Sequence, residues 1–193
     1  MRVERLRQEF DLEFDICAFD LRPGLPPAGL PREEAYRGRS YPPGYFDQLR
    51  QTAEEAGIDM KRPDVVANTR KAHEATEFAR DGDRLMEFHR AVFRAYWEEG
   101  ENISDGDVLC RLAGECGLDG EELRRALADG RYAPRVDEQM RWSRAAGVGG
   151  IPTFIFDDRF AVVGAQEYDL FADVAARIVK GEVTRKPAEE GQA

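Results

Sequence analysis

A chain of 193 residues, 42% hydrophobic and 34% charged, is long enough and apolar enough to bury one sizeable core, so one domain with at most a subdomain is expected. Its formal charge of −10 repels phosphate backbones and anionic lipid surfaces, which sets nucleic acid and membranes aside as partners. The opening MRVERLRQEF has charges where a secretory signal needs an apolar run, and no stretch approaches the roughly 18 apolar residues of a membrane span; a soluble, cytoplasmic protein is expected.

In chain order, MRVERLRQEF reads as a short helix end. LEFDICAFDL, residues 12–21, alternates at the strand period with Leu12, Phe14, Ile16 and Ala18 on one face. Residues 22–44 are crowded with proline and glycine and read as a long irregular connection. From Tyr45 to about Gly130 the pattern turns helical. YFDQLRQTAEEAG, VVANTRKAHEATEFARDG and DRLMEFHRAVFRAYWEEG each close on glycine. SDGDVLCRLAGECG starts at Ser104 as N-cap, and LDGEELRRALADG starts at Asp119 with Glu122 three residues on, as a capping box would place it.

RYAPRVDEQMRWSRAAG is a further helix, with Pro134 tolerable only in its first turn. PTFIFD and FAVVG, joined by Asp157, Asp158 and Arg159, read as an antiparallel hairpin, followed by the amphipathic helix EYDLFADVAARIVKG and a disordered tail, residues 182–193.

Three cysteines, Cys17, Cys110 and Cys116, form no Cys-x-x-Cys pair and no metal-ligand spacing; His73 and His89 stand apart from any ligand motif. No metal and no cofactor is expected. Cys110 and Cys116 lie about 9 Å apart along one helix axis, beyond the roughly 7 Å that a disulfide spans without distortion. Cys116 follows the stripe Val108, Leu109, Leu112 and reads as a buried hydrophobe, whereas Cys110 lies off it and reads as exposed. Cys17 faces away from Phe14 and Ile16 and is expected to be buried if helices cover both faces. His73 reads as a polar-face or interface residue, Phe88, Phe93, Tyr96 and Trp97 as core, and the pairs Glu54–Glu55 and Glu98–Glu99 as solvated faces.

Helix, strand, helical insertion, helix, hairpin and helix make up most of a thioredoxin-type α/β architecture. The stretches GVGGIPTFIFDDRFAVVGAQ, NTRKAHEATEFA and FHRAVFRAYWEEGENISD resemble DsbA-type oxidoreductases of the FrnE-like branch, which stand beside the 2-hydroxychromene-2-carboxylate isomerases. The resemblance runs from residue 1 to about 180. It implies a thioredoxin-like domain from residues 1–44 and 131–181, with residues 45–130 inserted as a helical block. It also implies that Pro152 is the cis proline facing a redox-active Cys-x-x-Cys, so that Ile151 offers its N–H and C=O to an extended substrate or a thiol ligand. Read without the resemblance, Pro152 is a trans proline where an edge strand begins. Asn68 aligns with an asparagine that looks toward the ligand groove in glutathione-using relatives; read alone, it is a residue that starts a helix.

In the family a strand and the cysteine motif precede the helix with which this chain opens. The expectation is a wrongly assigned start, with roughly 20 further residues in the natural protein, and near inactivity in the chain as written. Without the preceding strand, buried backbone groups would lack partners, and two chains could complete each other as a homodimer. Three functions are weighed. The first is a FrnE-type thiol–disulfide oxidoreductase acting on protein or small-molecule thiols. The second is a glutathione-dependent isomerase or kappa-class transferase, and the third a redox-inactive peptide-binding scaffold. Relatives that bind glutathione carry a Ser-Asp pair after the second hairpin strand, where Gly164, Ala165 and Gln166 stand here, which favours the oxidoreductase branch.

Overall fold

The computed structural model describes residues 2–38 and 40–181. They fall into two compact units, residues 2–17 with 143–181 and residues 18–38 with 40–142. The tail expected at residues 182–193 lies outside the described residues.

In the first unit, α1 (Arg2–Glu9) turns Leu6 inward, leaving it only 3% exposed. The strand expected at residues 12–21 does not form: no strand is assigned there. The burial alternation is real, with Leu12, Phe14 and Ile16 half-buried, Ala18 buried and Glu13, Asp15 and Cys17 exposed. Alternation decides which side chains face the protein, but a strand also needs a backbone ladder beside it, and period alone does not supply one.

The second unit begins with a two-residue ladder, β1 (Leu30–Pro31) antiparallel to β2 (Val65–Val66), pairing Leu30 with Val66 and Pro31 with Val65. Gly29 precedes it at φ 78, where an added Cβ would meet the Val66 carbonyl at 2.6 Å. Only glycine serves there. Two short surface helices, α2 (Arg32–Ala35) and α3 (Tyr45–Glu55), lie between the strands in sequence.

The helical block holds the main core. It comprises α4 (Arg70–Asp81), α5 (Leu85–Arg94) running into a π-helical turn at Ala95–Glu99, α6 (Gly106–Glu115) and α7 (Gly120–Asp129). Phe88, Leu109, Leu112 and Leu123 are fully enclosed, and Ala72, Ala75 and Ala79 keep the inner face of α4 small. Close approach of α6 and α7 depends on Gly120, whose added Cβ would meet the Cys110 carbonyl at 2.6 Å. That proximity explains why Cys110 is buried rather than exposed as its off-stripe position suggested. Phe93 departs the other way: it is 53% exposed and lies against the His89 ring with centroids 4.6 Å apart.

The caps follow the chemistry with one slip. Asp119 accepts hydrogen bonds from the Glu121 and Glu122 amides as expected, but α6 is capped by Asp105, not Ser104. The Ser104 hydroxyl is already engaged by the Asn68 amide at 2.7 Å. The chain leaves the block through α8 (Ala133–Ala145), on which Val136 and Met140 pack with Ala18.

Returning to the first unit, β3 (Thr153–Phe156) pairs antiparallel with β4 (Phe160–Val163), from Thr153 opposite Val163 to Phe156 opposite Phe160. The turn between them places Asp157 and Asp158 at φ 51 and 53 and closes with the Arg159 amide donating to the Phe156 carbonyl at 3.0 Å. Closing helix α9 (Tyr168–Val179) lays Phe171 on the hairpin, 4.7 Å from the Phe154 ring. Against α1, the Tyr168 hydroxyl donates to Glu9 at 2.6 Å, and the Arg5 guanidinium sits 3.7 Å from the Tyr168 ring centroid. The Tyr168 and Arg5 hydrogen bonds hold the Glu9 carboxyl below its ordinary pKa.

Candidate functional site

The segment between α8 and β3 is built almost wholly from backbone. Gly147 at φ 76 ends the helix, the Val148 amide donates to the Ser143 carbonyl at 2.9 Å, and the Thr153 hydroxyl closes on the Gly150 carbonyl at 2.7 Å. The Ile151–Pro152 peptide is cis, and the Pro152 carbonyl accepts from the Gly164 amide at 2.8 Å, tying the loop to the end of β4. Ile151 itself is 54% exposed. Among the described residues its peptide N–H and C=O form no hydrogen bond. An exposed apolar side chain flanked by an open donor and acceptor suits an extended polypeptide, which can pair its own backbone there.

Asn68 belongs to the other unit, where its amide and both ends of its side chain bond internally. Its amide donates to Ser104, its side-chain NH2 donates to the Leu25 carbonyl at 2.8 Å, and its side-chain oxygen accepts from the Arg70 amide at 2.9 Å. The residue starts α4 and pins the 22–29 segment to it.

Two of the three cysteines are not prepared for nucleophilic work. Burial pushes the Cys110 and Cys116 thiols up, away from the thiolate that exchange chemistry requires. Cys116 is half-buried, and Cys17 is exposed because the segment carrying it is solvated on that side. His73 lies deeper than a polar-face residue: burial holds its imidazole at about 4, and its Nε2 is enclosed without a hydrogen-bond partner among the described residues. Among the described residues no group of three or more His, Cys, Asp or Glu side chains could hold a metal ion, and no helix is long and apolar enough to cross a membrane.

Sequence reasoning missed the buried carboxylates of α4. Glu77, 1% exposed, accepts from Arg80 at 3.0 Å and from Gln139 at 2.9 Å; Glu74, 7% exposed, accepts from Arg70 at 2.7 Å. Their paired geometry marks a structural network.

The DSBA-like thioredoxin domain family matches residues 1–176. An uncharacterized protein of Bacillus subtilis (strain 168), YwbO, is 30% identical over 164 residues, covering 83% of this chain and 80% of that protein. The crystal structure of a probable DsbA oxidoreductase, SCO1869 from Streptomyces coelicolor, is similar with a TM-score of 0.84 at 26% identity, over 100% of this chain and 87% of that one. A 2-hydroxychromene-2-carboxylate isomerase shares the fold, with a TM-score of 0.69 at 20% identity over 94% of this chain and 88% of the isomerase.

Proposed function

The chain belongs to the DSBA-like thioredoxin domain family, and from that membership we propose that it serves thiol–disulfide exchange on cysteine-containing polypeptides in the cytoplasm. The observation that carries the reading is the open N–H and C=O of exposed Ile151 beside Pro152, where a substrate strand pairs its backbone. Ile151 and Pro152 are the binding residues. Asn68, bonded within its own unit, does not carry the reading. Glutathione is the weaker candidate ligand: at the position of the isomerases' Ser-Asp pair, the Gln166 side chain is already bonded to the Val163 carbonyl at 2.9 Å.

The redox half of the reading has its own test, because exchange needs an exposed thiolate and a resolving thiol, and Cys17, Cys110 and Cys116 supply no such pair. The 193-residue chain is expected to bind peptides but to reduce insulin disulfides no faster than the same chain with its cysteines alkylated. Turnover clearly above the alkylated control would show that one of these three cysteines acts as a nucleophile and would overturn that expectation.

A further inference from the structure

Arg22 and Arg32 stand against one ring. Their guanidinium carbons lie 4.5 and 5.5 Å from the Tyr36 centroid. Both are fixed by backbone contacts. The Arg32 Nε donates to the Pro63 carbonyl and its amide to the Asp64 carbonyl, each at 2.7 Å; the Arg22 amide donates to Asp20 at 2.8 Å and its carbonyl accepts from Leu25 at 3.2 Å.

Neither guanidinium is ion-paired with a carboxylate among the described residues, although Arg70, Arg80, Arg111 and Arg131 all are, in a chain of net charge −10. Nη1 of Arg22 is moreover enclosed and has no hydrogen-bond partner among the described residues. Guanidinium N–H groups that no carboxylate engages are available to an oxyanion, because a guanidinium matches carboxylate and phosphate oxygens in charge and geometry. Tyr96 completes the surroundings: its hydroxyl donates to the Val65 carbonyl at 3.3 Å, and Arg22 and Arg32 both act on its phenol through their charge.

We infer that Arg22 and Arg32, set around Tyr36, form a binding site for the oxyanion group of a small molecule, a carboxylate or a phosphate. The site lies in the helical unit and is independent of the thiol-exchange reading.

The test follows the amide proton–nitrogen spectrum of the whole chain during titration with inorganic phosphate and, separately, with acetate, chloride holding the ionic strength constant. Saturable shifts confined to the amides around Arg22, Arg32 and Tyr36 are expected, and whichever anion saturates at lower concentration identifies the group as phosphoryl or carboxylate. Arg22→Gln and Arg32→Gln should each weaken binding by about tenfold or more, since each removes a charge-assisted contact. Arg125→Gln, which alters an exposed pair on α7, should leave it unchanged. If Arg22→Gln does not fold, Arg32→Gln decides. Shifts that grow linearly without saturating, or saturation undiminished in a folded variant, would overturn the site.

Discussion

Glu77→Ala is expected to destabilise the protein by about 3 kcal/mol, read as a lower urea midpoint at unchanged slope. The carboxylate is 1% exposed and holds Arg80 of its own helix, α4, together with Arg135 and Gln139 of α8, at 3.0, 3.4 and 2.9 Å. Removing it leaves a cavity beside the core and takes from two guanidinium groups and from the Gln139 NH2 the acceptor they share. The arginines are 27% and 42% exposed at their side chains, so water recovers part of the loss, which holds the figure to the lower end for a broken buried pair. Truncating Glu121, whose pair with Arg124 is exposed, should cost less than about 1 kcal/mol in the same assay.

Acid should unfold the chain partly through His73. Burial is the main cause of its low value, with Arg70 and His89 adding to it, while Asp20 and the Phe19 carbonyl oppose. The folded value of about 4 lies below the ordinary 6.5, so the unfolded state takes up the proton first. Stability is therefore complete above about pH 6.5 and falls as the pH drops toward about 4, by roughly 2 to 3 kcal/mol for this one residue between about pH 7.5 and 4.5. His89 is lowered by burial as well and acts in the same direction. In His73→Gln, neutral at every pH, the slope of urea midpoint against pH should be visibly shallower over that window. Equal slopes in the two proteins would mean that His73 is solvated when folded.

Much of the architecture was legible because its signals are local. Glycine stops, aspartate caps and helical apolar spacing identify α4 to α8, and Phe154, Phe156, Phe160 and Val162 around the Asp157–Asp158 turn identify the hairpin. What was not legible depends on neighbours far along the chain. Residues 12–21 carry the strand period without the ladder. β1 and β2, at two residues each, are shorter than any periodicity can register. Glu74 and Glu77 look like the polar face of an amphipathic helix until Arg70, Arg135 and Gln139 are seen to enclose them.

The same division holds for the sites. Pro152 at the mouth of an apolar strand, behind a glycine-rich approach, stands out in one dimension. Arg22 and Arg32 do not, since only the folded chain brings both to the Tyr36 ring. Asn68 shows the opposite hazard: its helix-starting role and a ligand-facing role share one sequence pattern, and its three internal hydrogen bonds appear only in the structure.

The most direct measurement of the central claim is an amide correlation titration of the whole chain with a short peptide carrying one alkylated cysteine, which can bind but cannot exchange. Saturable shifts centred on Gly150, Ile151 and Thr153, with the Ile151 amide moving most, are the predicted result. Binding that leaves these amides unmoved, or no binding at all, would contradict the assignment of the Ile151–Pro152 segment as the substrate surface.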